Sequence, residues 1–333
     1  MKMKNYLLAI VALVVSLSAS AQSNNTFAKD YMSLSGYLQG GFQTPNVGGE
    51  PSSTFYLKRA RVSLTGNVPQ DNIDYRLQVD MAGSPKICDL YFRYKPSAAL
   101  NVQLGQFKIP FAIENDIYGP TTVEFIDYSY ITTLLARNAD RYDGISAGGR
   151  DIGLQLYGGF GEAKGYNILS YNLGIFNGAG INKADVNDVK DIVARLIFKP
   201  SKELSLSASW MSAATNYEAH IQRSNRTALG VIYDAESFIV RSEYALAEFD
   251  NKDVDAFYVM GGYKLKRDWM LVARYETLND GKNSGANRVT FGAVFKPYSY
   301  LRFQLHYAIE NASLQLPKYY NTSGLNLMVT AIF

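Results

Sequence analysis

Cysteine and histidine are nearly missing from this sequence: its 333 residues hold one Cys and two His. One thiol excludes an internal disulfide framework and any Cys-rich zinc site. Cys88 therefore reads as a small packing residue, the usual fate of a free thiol. His220 falls in an expected loop and His306 on the polar face of an expected strand, and neither has a Ser–Asp pattern nearby. A hydroxyl nucleophile needs an oriented base beside it, so catalysis has little support. No phosphate-cradling or dinucleotide loop appears, since GGFGEAKG lies outside any strand–helix context. DRYDG lacks the alternating ligand set of a calcium loop. The expectation is no enzyme, no cofactor and no metal. Excess charge is missing too: 33 Lys and Arg face 30 Asp and Glu. That balance gives no bulk attraction for nucleic acid.

Long apolar runs are also absent, except at the start. MKMKNYLLAIVALVVSLSASAQ has a basic beginning, an apolar stretch from Tyr6 to Leu17 and a small-residue Ala19-Ser20-Ala21 site. That order reads as a cleaved export signal over residues 1–21. The alternative, an anchor helix, is weakened by Ser16, Ser18 and Ser20 and by a length short of the ~20 residues of a spanning helix. No Cys follows to take a lipid. Residues 22–333 then form one exported domain.

What fills that domain is alternation. LSGYLQGGF, YRLQVDMAG, DIGLQLYGGF, LRFQLHYAIE and LNLMVTAIF each place apolar residues on one face and polar residues on the other. About sixteen such segments, of the ~10 residues a tilted membrane strand needs, run from 31–42 to 323–333. Short turns such as NVPQDN, KPSAAL, KPSKE and KPYSY alternate with longer connections, and the longest runs from Lys108 to Arg150. Short turns on one side and long loops on the other are the layout of an outer-membrane barrel. Three of the short turns share an aromatic, Lys-Pro and a following Leu, with Tyr94, Phe198 and Phe295 placed at an expected interface.

Alternation alone also fits a soluble β-sandwich, whose polar face meets bulk water. Three features favour the barrel. Aromatics sit at the ends of the apolar faces: Tyr56, Tyr94, Trp210, Tyr233, Trp269, Tyr275 and Tyr307. Charges such as Arg59, Arg61, Arg76, Asp80, Arg93, Arg241 and Glu243 sit deep within the polar faces. A count near sixteen leaves an aqueous lumen on closure. On the polar face basic residues outnumber acidic ones about two to one, and a positive wall favours anions in a narrow channel. The bland alternative is that many of these charges pair across strands and only hold the wall.

YLKRARVSLTGNV, DYRLQVDMAG, CDLYFRYKP and VQLGQFKIPFAIEN, within Tyr56 to Asn115, resemble the N-terminal half of the phosphate-selective porin family, porins O and P. The resemblance rests on the Arg-x-Arg strand (Arg59, Arg61), on Asp80 and on the signature from Gly105 to Phe111. It implies a sixteen-stranded barrel in the Gram-negative outer membrane, a homotrimer among lipid and lipopolysaccharide. It also implies a long third loop folded into the pore, here residues 108–150. Studied members owe phosphate selectivity to clustered basic residues, and none is matched here position by position. The terminal Phe333 looks like the aromatic signal that barrel-assembly machinery reads.

The function expected is passive diffusion of small hydrophilic solutes, tilted toward anions, with phosphate selectivity within the family's range. The rival is a structural or adhesive surface barrel with a closed lumen. Gly153, Ser205, Ser207, Ser209, Gly230 and Gly262 speak against the rival, being too small to fill a wide interior. The anion-contact candidates are Arg59, Arg61, Arg76, Arg93 and Lys108, with Arg137 and Arg141 expected to face a constriction opposite Glu124, Asp127, Asp140 and Asp143.

Overall fold

A computed structural model describes residues 31–333 apart from 164, 186, 218–219, 251, 267, 282–283 and 314–321. The expected export signal at 1–21 lies outside the described residues. Sixteen long strands follow one another: β1 Met32–Val47, β2 Thr54–Val68, β3 Ile73–Asp80, β4 Lys86–Tyr94, β5 Asn101–Lys108, β6 Arg150–Ala163, β7 Tyr166–Phe176 and β8 Asp191–Phe198. The second half holds β9 Leu204–Tyr217, β10 His220–Asp234, β11 Phe238–Phe249, β12 Lys252–Lys266, β13 Trp269–Asn279, β14 Gly285–Tyr298, β15 Leu301–Ala312 and β16 Thr322–Ile332. The two residues Glu50–Pro51 pair only with the end of β1.

Each strand pairs antiparallel with the next, and β1 pairs with both β2 and β16. The sheet closes into a barrel, which removes the edge that an open sheet would leave. Beyond the paired strands, the Gly36 N–H donates to the Phe333 carbonyl at 2.7 Å and the Phe333 N–H donates back at 3.0 Å. Several strands run further at the long-loop end than alternation predicts. β9 and β10 stay paired up to Tyr217 and His220, so His220 is on a strand backbone and not in a loop. Inter-strand hydrogen bonding continues there past the point where the apolar stripe ends.

The two faces differ as lipid and interior do. In β11, Val240, Tyr244 and Leu246 are exposed outside, while Arg241 and Glu243 are buried inside. Trp210, Trp269, Leu271, Phe291, Leu325 and Leu327 are likewise exposed. An apolar belt on this scale is a liability in water and a requirement in a bilayer.

Two strands break the alternation. On β2, Phe55 and Leu57 point out, and the outward row resumes at Ala60 and Val62. The pairing with β1 steps from Gly40↔Leu57 to Gln39↔Arg59, leaving Lys58 without an opposite residue. This is a β-bulge, one extra residue that re-aims the chain. It turns Tyr56, Lys58, Arg59 and Arg61 inward together. Tyr56 is therefore not on the lipid face: its hydroxyl donates to Asn326 Oδ1 at 2.6 Å, inside the barrel. On β4 the pairing steps from Gln78↔Asp89 to Val79↔Ile87, and Cys88 is the extra residue, fully buried beside Asp89.

The connection between β5 and β6 carries a helical turn, α1, Ile113–Asp116, and a π-helical turn, Ile131–Leu135. Ile109, Phe111, Phe125, Ile131, Leu134 and Leu135 form its buried core with inward residues such as Val193, Met211, Val254 and Met260. Small wall residues make the seat for it. A Cβ on Gly230 would come within 2.3 Å of Ile113 Cδ1, and Ser209 Oγ accepts from the Ala112 N–H at 3.4 Å. Their smallness, read in the sequence as keeping the lumen empty, admits this segment.

Candidate functional site

The barrel wall divides into two charged halves that do different things. The half from β8 to β15 holds the 109–149 segment. Six carboxylates lie on that segment, and each pairs with a cation on a strand: Glu114 with Arg241 and Arg274, Asp116 with Arg195, Glu124 with Arg241, Asp127 with Lys58 on β2, and Asp140 and Asp143 with Arg226. Wall side chains also take up backbone groups of the segment. Arg302 donates to the carbonyls of Thr121 and Val123 at 2.9 and 2.6 Å, and Gln304 donates to Glu124 O at 2.7 Å. Arg226 donates to Leu135 O at 2.7 Å and Arg288 to Tyr128 O at 3.1 Å. In return the Ile113 and Tyr130 N–H groups donate to Glu243 and Glu276, at 2.9 and 2.7 Å. Guanidinium groups cover rings as well: Arg241 lies 4.0 Å from the Tyr118 ring centre and Arg274 4.5 Å from that of Phe125. His306 is buried, accepts from the Ile126 N–H at 3.3 Å and packs on Phe125.

The electrostatics of the segment follow from this pairing. Burial pushes the Glu114 carboxyl up, but Arg241, Arg274 and the Ser129 N–H outweigh it and hold the group below its ordinary value. The Lys58 ammonium holds Asp127 well below the usual carboxylate range. Burial pushes Asp140 up, against Arg226 and with help from the neighbouring Asp143 charge.

The half from β2 to β6 faces water. It lines a cavity of about 460 Å³ with Arg61, Arg76, Arg93, Lys108 and Arg150, beside Tyr37, Tyr91, Tyr157 and Gln103. Arg61 is bound to Asp80 at 2.8 Å and to the Tyr37 hydroxyl at 3.0 Å. Arg93 and Lys95 share Asp74, at 2.5 and 2.7 Å. Arg150 and Arg76 share Asp89, at 2.7 and 3.7 Å. Arg59 donates to Gln39 at 2.9 Å, and the Lys108 ammonium donates to the Asn115 carbonyl. The wall around this cavity thus carries seven cations and three carboxylates, and the segment adds a fourth carboxylate, Asp116, which is paired with Arg195.

Arg61, Arg76, Arg93 and Lys108, expected as anion contacts, come together on this cavity, and Arg59 stands beside them. Arg137 does not. Its side chain is fully enclosed and pairs with Asp143, Asp151 and Asp191, so it faces no constriction. Arg141 is half-buried and is not among the residues lining the cavity. The carboxylates expected to oppose those two arginines bind the strand cations instead. Arg150 and Lys58 were missed as site residues. Arg150 looked like a loop boundary. Lys58 lies two residues after Tyr56, so the expected outward Tyr56 hides it, and the three-residue step from Leu57 to Ala60 is the signal of the bulge that turns it inward.

The fold is similar to that of an anion-selective porin from Comamonas acidovorans, with a TM-score of 0.73 and 13% identity over 91% of this chain and 99% of that one. It is also similar to OprB of Pseudomonas putida (TM-score 0.71, 8% identity, 94% and 97% covered). The outer membrane channel DcaP of Acinetobacter baumannii is a third (TM-score 0.68, 13% identity, 91% and 97% covered). At these identities the likeness concerns the fold. No curated protein matches the sequence. The profile of the family described as phosphate-selective porin O and P matches residues 32–312. On that match and this barrel, the chain belongs to the phosphate-selective porin O and P family of outer-membrane channels.

Proposed function

We propose that this porin passes small hydrophilic solutes by diffusion and prefers anions, inorganic phosphate among them. The observation that carries the reading is the uneven wall: it sets seven cations against three carboxylates around the water-facing cavity, while the acids of the 109–149 segment, including Asp116 on the cavity's edge, are taken up by other strand cations. A surplus of fixed positive charge beside a low-dielectric wall raises the local concentration of anions. Arg presents a planar donor fork suited to phosphate oxygens. The 109–149 segment narrows the channel, and the solute runs along the β2–β6 side. The similarity to an anion-selective porin supports this reading at the level of fold.

Residues 1–21 direct export and are removed. The barrel assembles as a homotrimer in outer-membrane lipid, beside lipopolysaccharide, and Phe333 serves its insertion by barrel-assembly machinery. The chemistry is transport without catalysis. The test is current through the purified protein in a planar bilayer, with reversal potentials in potassium chloride and potassium phosphate gradients. Anion-side reversal supports the reading, and cation-side reversal overturns the preference.

A further inference from the structure

The 119–127 segment divides the interior. Gly119, Pro120 and Thr121 line the 460 Å³ cavity, whereas Phe125, Ile126 and Asp127 line a second cavity of about 160 Å³ on the β13–β16 side, with Arg274, Arg288 and Glu310. Among the described residues none lines both. The segment is therefore a partition, and what fixes it decides how wide a passage the interior leaves.

Most of its anchors are enclosed. Gln39 takes the Pro120 carbonyl, Arg302 those of Thr121 and Val123, Gln304 that of Glu124 and Arg274 that of Asp127. All four of these side chains belong to buried residues. His306, which accepts from the Ile126 N–H, and Arg241, which pairs with Glu124, are buried as well, and one anchor differs. Lys58 Nζ donates to Ile126 O at 2.7 Å and to Asp127 Oδ1 at 2.6 Å, and the Asp127 side chain is 60% exposed. The Lys58 side chain is 21% exposed, so water and salt reach this pair from its carboxylate side and screen it more than the enclosed anchors. Lys58 is also the residue that the bulge leaves unpaired in the β1–β2 ladder. Without the extra residue its side chain would point into lipid.

We propose that Lys58 is a positioning residue that sets the aperture of the channel, by tying the exposed corner of the partition to the wall. The proposal rests on the reading of the chain as a diffusion channel. The bulge delivers an ammonium to Asp127, the pair holds the partition across the lumen, and its release widens the path between the two cavities. Arg59 and Arg288 are the other cations facing Lys58, and both have other partners, Gln39 for the first and Glu276 for the second.

The test compares single-channel conductance of the full chain with that of Lys58→Met, Asp127→Asn and the swap Lys58→Asp/Asp127→Lys. Neutral polyethylene glycols of graded size report the aperture without reference to charge. A latch predicts that both single variants raise conductance and admit larger polymers, although one removes a positive charge and the other a negative one. The swap returns both readings toward the native values. If the two single variants move anion current in opposite directions with no change in polymer size limit, the residues act only as fixed charges and the latch is overturned. Unchanged conductance in both overturns it as well. Asp127→Asn alters an exposed group, so it keeps the test open if Lys58→Met fails to fold. Absence of current from the native protein overturns the channel reading itself, a result separate from any of these.

Discussion

Arg76 and Arg150 reach one carboxylate, Asp89, from different strands, and Arg93 and Lys95 reach one Asp74. Each arrangement leaves one positive charge uncancelled, which is how a chain of near-zero net charge makes a positive channel wall. Arg76 is about one-third exposed, so its field on the solute is partly screened. Arg76→Gln is expected to lower the anion-to-cation permeability ratio by about two- to fivefold, the equivalent of ~0.5–1 kcal/mol for a partly exposed charge. Reversal potentials in a chloride gradient check this. Arg226 belongs to the other kind of cation. It is fully enclosed and carries both Asp140 and Asp143. Arg226→Met leaves those carboxylates buried with Arg137 as the remaining cation, and loss of one partner of a buried pair costs about 3–5 kcal/mol. The expected result is a lower unfolding temperature and protease cleavage within 131–143, seen by limited proteolysis, with the barrel itself intact. Which arginines face solute was not legible in the sequence. Arg137 and Arg93 look alike there, and only the path of the 109–149 segment separates them.

At the scale of elements, the sixteen alternating segments were legible because a membrane strand must present a lipid face along most of its length. The bulges were legible only as faults in that pattern. Leu57 to Ala60 on β2 and Ile87 to Leu90 on β4 each step by three residues where two are due. An uninterrupted alternation through Tyr56 hides the step, and Lys58 with it. The place of the long connection was plain from its length, and its contacts were not, since they depend on side chains more than a hundred residues away. Gly230 is the simplest test of those contacts. A leucine there collides with Ile113, and overpacking of this kind costs about 1–3 kcal/mol. Because α1 is a short turn on a connection, the strain is relieved by moving it away from β10. That displacement carries α1 toward the β2–β6 cavity, which Asp116 lines, so Gly230→Leu is expected to lower single-channel conductance while heat-modifiable migration on gels stays native. Conductance at the native value would show that α1 does not bound the path.

At the scale of the whole molecule, closure and selectivity meet at β1. This strand joins β2, which carries the bulge, to β16, which ends the barrel. Phe333 fixes the last step of that closure through its two backbone hydrogen bonds with Gly36. Deleting Phe333 removes both, and the expected outcome is a smaller fraction of heat-modifiable, membrane-inserted protein. An unchanged fraction would show the terminal ring to be dispensable. The central claim is that the interior is split, with one half of the wall spent on holding the 109–149 segment and the other left with surplus positive charge toward water. The most direct measurement is the reversal potential of the native protein in a planar bilayer under a potassium chloride gradient. The account predicts reversal on the chloride side, shifting toward zero in Arg76→Gln. Reversal on the potassium side in the native protein would contradict it.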